Sequence, residues 1–235
     1  MTLKLFLKPG ACSLSPHIAL EEAGLPYETE SVDLAKKVTA TGGNYFDINP
    51  KGYVPALRLD SGELLTEGPA IVQYIADQAP ASQLAPANGT IERYRLQGWL
   101  NYIGTELHKS CSAFFNPMSR DDWKAAARAN LERRLRHVDD HLGAGNAYLL
   151  GEGFSVADGY LFTVLRWMAP IGFDLAPYPQ IQAFQARVGA RPAVQAALKM
   201  QHMLERFNQD RKAAHQAPVR VGVGIASGEV IAGYT

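Results

Sequence analysis

Chemistry in this chain starts with its two cysteines, which sit in opposite settings. Cys12 falls in Pro9-Gly10-Ala11-Cys12-Ser13, between a strand pattern and a helix pattern. A thiol at a helix N-terminus feels the positive end of the helix dipole, which lowers its pKa and favours thiolate. Ser13 and Ser15 add hydroxyls that could solvate a sulfur anion. The competing reading is burial, since free cysteine is among the most buried residue types. Cys111, on a helix with no polar neighbourhood, fits that second reading. Two cysteines make neither a disulfide framework nor a zinc-ligand spacing, so no metal is expected.

The second candidate is the run Asn49-Pro50-Lys51-Gly52-Tyr53-Val54-Pro55-Ala56-Leu57, followed by Leu65-Thr66-Glu67-Gly68-Pro69. Proline donates no backbone hydrogen bond and belongs at the first position of a strand. If the Val54-Pro55 bond is cis, the N–H and C=O of Val54 turn outward, where a peptide-like ligand could add as one more strand. A plain tight turn before a strand is the alternative. Glu67 precedes a helix whose first position is Pro69, so a carboxylate and free amides meet where a zwitterionic ligand end could dock.

A third group is Asn101, Thr105, His108 and Lys109, at i, i+4, i+7 and i+8 on one helix. The spacing places them in one stripe. It reads as a solvated face or as the wall of an inter-domain cleft, a preferred kind of ligand site. A neutral imidazole at His108 could hydrogen-bond or polarise a thiol. His137 and His141 have metal-ligand spacing, but Val138-Asp139-Asp140 between them lacks a metalloprotease glutamate, and a solvent-facing pair is expected. Ser155 with Asp158 is a capping arrangement, which assigns Asp158 to stability. Tyr53 and Trp167 fit either core or ligand wall.

Positioning these groups takes two kinds of structure. Leu3, Leu5 and Leu7 alternate as a strand ended by Pro9-Gly10; Ser15-Pro16 opens a helix closed by Gly24 and Pro26; Tyr27 to Val32 is a second strand. The stretch from Asp33 to Phe46 carries a weak helical signal. Asp60-Ser61-Gly62 turns a hairpin between Ala56–Leu59 and Glu63–Leu65, and Ala70 to Ala76 is a short helix. Residues 1–79 therefore read βαβ-α-ββα with a mixed sheet, 80–90 as a linker, and 91–205 as a helical bundle. Ile91 to Phe115 forms one long helical pattern. Residues 206–235 are an extra tail, glycine-rich and β-branched, with a hairpin-like turn at Ser227-Gly228.

Lys plus Arg and Asp plus Glu balance at 23 each, which gives no electrostatic reason to expect nucleic acid or an anionic membrane as partner. The N-terminus has too short an apolar run for a secretory signal, and no stretch is long enough to span a bilayer, so a soluble, cytoplasmic protein is expected.

Lys8-Pro9-Gly10-Ala11-Cys12-Ser13-Leu14, Asn49-Pro50-Lys51-Gly52 with Val54-Pro55-Ala56-Leu57, Leu65-Thr66-Glu67-Gly68, the Trp99 to Lys109 stretch and Phe154-Ser155-Val156-Ala157-Asp158 together resemble the glutathione transferases of the bacterial beta class, from about Leu3 to about Leu198. The resemblance implies a thioredoxin-like N-terminal domain, an all-helical C-terminal domain, a homodimer, and conjugation of glutathione, as co-substrate, to small apolar electrophiles. Carried over, Cys12 contacts the glutathione sulfur, Val54 before the family's cis-proline Pro55 pairs with the cysteinyl backbone, Glu67 and Gly68 hold the γ-glutamyl end, and Lys37 holds the glycyl carboxylate. His108 and Lys109 close the sulfur side, and Asn101 and Thr105 lie near the dimer interface. Gly68 replaces a serine common in the class, so one ligand hydrogen bond is missing. Cysteine in place of tyrosine or serine also admits thiol–disulfide or peroxide chemistry, and a non-catalytic binder of glutathione or apolar ligands is the alternative. Phe114, Phe115 and Trp167 are expected at the electrophile pocket. Val219 to Gly233 resembles instead a fragment of a class III nucleotide cyclase, too short to act as one.

Overall fold

The computed structural model describes residues 2–213 and 221–223. The first half builds a mixed sheet in the order β3-β2-β1-β4-β5, from β1 (Leu3–Leu7), β2 (Tyr27–Asp33), β3 (Val38–Thr39), β4 (Ala56–Arg58) and β5 (Leu64–Thr66). β1 runs parallel to β2 and antiparallel to β4. Its alternation serves both faces of the sheet. Leu3, Leu5 and Leu7 enter the main core with α1 (Leu14–Ala23) and α2 (Gly68–Gln78), while Phe6 packs with Val32, Tyr45, Val54 and Ala56 on the other side. This is the thioredoxin-like domain expected from the sequence.

The Asp33–Phe46 connection departs from expectation. It holds the short strand β3 and a single 3-10 turn, Tyr45–Asp47, capped by the Asn44 side chain accepting from Phe46 N–H. Glycines at 42 and 43 leave no room for a helix of useful length. The turn's contribution is Tyr45, fully buried, whose hydroxyl donates to the Tyr53 carbonyl at 2.8 Å.

The second half is helical: α3 (Ile91–Tyr102), α4 (Lys109–Phe115), α5 (Asp121–Gly143), α6 (Val156–Leu165), α7 (Pro179–Gly189) and α8 (Pro192–Ala213). The expected single helix over 91–115 is continuous but contains a π-helical turn, Ile103–His108, between α3 and α4. α6 is buried along its whole length. Its start is fixed by Asp158, fully buried, whose carboxylate accepts from Leu149 N–H at 2.8 Å, Ser155 N–H at 2.8 Å and Ser155 Oγ at 2.7 Å.

Named ties join the halves. Arg93, 2% exposed, makes a two-pronged ion pair with Asp77 at 2.8 Å and donates to the Pro86 carbonyl, clamping α3 to α2. Arg191 grips both oxygens of Glu22 on α1 at 2.6 and 2.8 Å. Buried His17 on α1 bridges Tyr27 Oη at 2.8 Å and Gln201 Nε2 of α8 at 3.2 Å, and Tyr27 in turn donates to Glu21. Desolvation pushes the His17 pKa down to about 4, which keeps it neutral in this network.

α8 runs through Arg206 to Ala213, and a three-residue strand, β6 (Val221–Val223), pairs antiparallel with Tyr27–Thr29 on β2. The rest of the expected tail hairpin, and so most of the cyclase-like stretch, lies outside the described residues. Among the described residues no helix is long and apolar enough to cross a membrane.

Two outcomes are expected. Asp158→Ala strands three buried donors and should cost about 3–5 kcal/mol, read as a lower urea midpoint at unchanged slope. Ending the chain after Ala213 should speed amide exchange within Tyr27–Thr29, at the N–H groups that point towards β6, relative to Leu5 and Phe6; equal exchange in both chain lengths would argue against the β6 pairing.

Candidate active site between the two domains

The groups singled out in the sequence meet where the carboxyl end of β1 and the start of α2 face the π turn. A cleft of about 630 Å³ is lined on the sheet side by Cys12, Asn49, Lys51, Tyr53, Val54, Pro55, Thr66, Glu67 and Gly68, and on the helical side by Asn101, Thr105, His108, Lys109 and Tyr160. A second cavity, about 690 Å³, opens behind it between Pro9, Leu34, Phe115 and Trp167. Cys12, Tyr53, Val54 and His108 line both, so these four residues form the partition between two compartments.

Local chemistry explains the sheet wall. The Val54-Pro55 bond is cis. Asn49, 2% exposed, donates through its side-chain amide to the Tyr53 carbonyl at 2.8 Å, which together with the Tyr45 hydroxyl holds the loop before β4. Glu67 sits at φ 70°, ψ 115°, a conformation that non-glycine residues rarely adopt and that tends to gather at functional sites. It directs an exposed carboxylate into the cleft, where it pairs with Lys51 Nζ at 2.6 Å. The Gly68 amide opens α2, followed by Pro69, which has no N–H, and by Ala70 and Ile71, whose amides donate to the Glu67 carbonyl, so the Gly68 N–H at a positive helix end and a carboxylate lie side by side.

The helical wall includes the π turn. Asn101, Thr105, His108 and Lys109 all line the cleft, as their spacing on one helix face requires, with the wider turn at Ile103–His108 running through that face. His108 Nδ1 lies 2.6 Å from the buried hydroxyl of Tyr160 on α6, and its ring meets the Trp167 indole edge-on at 4.8 Å. Burial, with Lys109 next door, pushes the His108 pKa down to about 4, so it is neutral near pH 7. Trp167, 8% exposed, donates from Nε1 to the Gly10 carbonyl at 2.9 Å, tying the helical domain to the Cys12 loop.

Cys12 differs from expectation. Its thiol donates to the Val54 carbonyl at 3.2 Å, and burial pushes its pKa up to about 11. The N–H groups of Cys12 and Ser13 do pull it down, as the helix argument requires, but desolvation outweighs them and the Glu67 charge adds to the rise. Ser13 does not face the sulfur; its hydroxyl exchanges hydrogen bonds with the backbone of Lys8, and Ser15 Oγ is buried without a hydrogen-bond partner among the described residues. Cys111 is fully buried and its pKa is also pushed up, to about 12.

Of the ten residues proposed from sequence, nine line the first cleft: Cys12, Val54, Pro55, Glu67, Gly68, Asn101, Thr105, His108 and Lys109. Lys37 does not. Its ammonium donates to the Gly52 carbonyl at 2.9 Å and rests over the Phe46 and Tyr53 rings, one ring back from the cleft. Lys51 and Tyr160 were missed. Lys51 lay within a quoted motif, but its pairing with Glu67 needs the fold. Phe115 reaches the second cavity, whereas Phe114 packs under Arg128. His137 is exposed and stacks on Trp99, and His141 Nε2 lies 3.0 Å from the Leu149 carbonyl. No cluster of three or more metal-ligating side chains occurs among the described residues.

Two family models match the chain: glutathione S-transferase N-terminal domain over residues 10–78 and glutathione S-transferase C-terminal domain over residues 121–196. The chain is 48% identical over 196 residues to glutathione S-transferase GstA of Escherichia coli O157:H7, covering 83% of this chain and 97% of that relative. Among solved structures it superposes on a ternary complex of BphK, a bacterial GST, with TM-score 0.83 and 60% identity, covering 85% of this chain and 99% of that one. A sphingomonad glutathione S-transferase complexed with glutathione matches with TM-score 0.82 and 50% identity over 85% and 99% of the two chains.

The raised Cys12 pKa sets a pH dependence. Thiolate is the reactive form, so alkylation of Cys12 by iodoacetamide should climb about tenfold per pH unit between pH 7 and 9 without levelling off. A rate already flat at pH 7 would mean that the helix terminus, not burial, governs the sulfur.

Proposed function

The chain belongs to the glutathione S-transferase family, and from that membership we propose how its own residues carry out transfer of glutathione to small electrophiles and what else the site does. We place it in the bacterial beta class, as a cytoplasmic homodimer, with residues 1–79 as the glutathione-binding domain, 91–205 as the helical domain and 206–235 as an appendage. Exposed Ile91 and Tyr94 on α3 give a partner subunit apolar surface to cover.

The observation that carries the reading is the partition formed by Cys12, Tyr53, Val54 and His108 between the more polar cleft, which carries Lys51, Glu67 and Lys109, and the more apolar cavity with Leu34, Phe115 and Trp167. In the polar one, glutathione would lie along Val54 as an added strand. Its γ-glutamyl ammonium meets Glu67, its α-carboxylate meets the Gly68 amide with Lys51 close by, and its sulfur reaches the partition beside Cys12 and His108. Lys109 closes the sulfur side. Asn101 and Thr105 line the helical side, near the partner subunit. Lys37 takes the glycyl carboxylate by leaving the Gly52 carbonyl. The electrophile enters the apolar compartment against Phe115 and Trp167. The glutathione thiolate attacks an electrophilic carbon, forming a C–S bond as a leaving group departs with the electron pair of the broken bond.

A thiol–disulfide reading is also favoured by one observation: Cys12 lies on the same partition. Its thiolate would attack oxidised glutathione, forming a protein–glutathione disulfide and releasing reduced glutathione. Intact mass under non-reducing conditions tests this after incubation with oxidised glutathione at pH 9. Wild type should gain one glutathione, removable by reductant, and Cys12→Ala none. Adduct in both proteins would point to Cys111. No adduct in either, with glutathione bound but no electrophile turned over, would support a non-catalytic binding protein.

A further inference from the structure

The hydroxyl of Tyr160 is buried with its residue 4% exposed, and its partner among the described residues is His108 Nδ1 at 2.6 Å. A buried hydroxyl left without an acceptor is costly, and Nδ1 is the acceptor within reach. If Nδ1 carried the proton instead, the ring would donate to the phenol oxygen and the Tyr160 proton would have nowhere to go. Burial, together with the Cys12 sulfur and the Glu67 carboxylate, pushes the phenol's pKa up, so it keeps its proton. The groups facing His108 are Tyr160 on α6, the Trp167 ring beyond it, neighbouring Lys109, and Cys12 across the partition. None of the α6 groups or the indole ring is a base strong enough to draw the imidazole proton to Nδ1.

We propose that Tyr160 is a positioning residue for His108: its hydroxyl donates to Nδ1, fixes the imidazole proton on Nε2, and so presents the glutathione sulfur with an N–H donor rather than a base. This rests on the reading that the sulfur lies beside His108. The thiol then loses its proton to solvent, and the sulfur anion accepts the Nε2–H hydrogen bond. His108 stays neutral throughout and stabilises the anion without taking up its proton.

Nitrogen-15 spectra of the histidine side chains test this directly. The chain has six histidines, and a His108→Gln spectrum assigns the one in question. In the wild type, His108 should show a bare Nδ1 and a protonated Nε2 at pH 7; in Tyr160→Phe both tautomers should appear. In kinetics with 1-chloro-2,4-dinitrobenzene, Tyr160→Phe should lower kcat/KM about three- to tenfold at pH 6.5. The loss should shrink towards pH 9, where the thiol ionises unaided, with KM for glutathione within about twofold. A protonated Nδ1 in the wild type, or an equal loss at every pH, would overturn the proposal. The wild-type spectrum stands even if the variant does not fold. Absence of glutathione binding by the wild type would count against the functional reading while leaving the tautomer result intact.

Discussion

The burial of α1 on both of its sides is what the rest of the molecule depends on. Every residue from Leu14 to Leu20 is buried, because one side of the helix meets the sheet and α2 while another meets α6 and α8. A helix with no solvent face has no amphipathic stripe, and its polar members depend on partners inside. His17 has them in Tyr27 and Gln201, whereas Ser15 Oγ has none among the described residues. The helix is thus the seam of the two domains, and Cys12 hangs from its N-terminal end. The position of the sulfur relative to His108 is only as well defined as that seam, to which Arg191–Glu22 and Trp167–Gly10 add polar fixings at either end. The first is a partly buried ion pair and the second a neutral hydrogen bond, and both fix geometry at the seam.

Much of this was legible in the residues. The alternation of Leu3, Leu5 and Leu7, the proline opening β4 and the Ser155–Asp158 box each have a local cause, and each appears in the structure. The stripe from Asn101 to Lys109 follows from a plain helical wheel and its members do share a wall, although the π turn within that stretch is not something the wheel contains. Lys51 and Tyr160 escaped for a different reason. Their relevance lies in one partner each, Glu67 and His108, which are 16 and 52 residues away and known only once the chain is folded.

The thiol at position 12 teaches a further point about competing effects. Sequence supplies the helix terminus, and the backbone N–H groups there do lower the thiol's pKa. It does not supply the depth of the sulfur, and desolvation is the larger effect. The contrast with His108 is instructive, since burial there also selects the neutral form. Both groups at the partition are therefore uncharged before a ligand arrives. A site of this kind holds hydrogen-bond donors ready for an incoming sulfur anion and does not itself carry an anion that would repel one.

The π turn also bears on how this stretch of chain tolerates change in length. A wide turn holds one residue more than an α-helical turn, so removing a single residue between Ile103 and His108 would close it into ordinary α-helix and leave the helix beyond near its present phase. The buried Cys111 would keep its place, with the hydrogen bonding of the helix unharmed. The same loss within the regular helix α5 has no wide turn to absorb it and would swing everything beyond by about 100° around the helix axis. This segment can therefore give up a residue that a regular helix cannot.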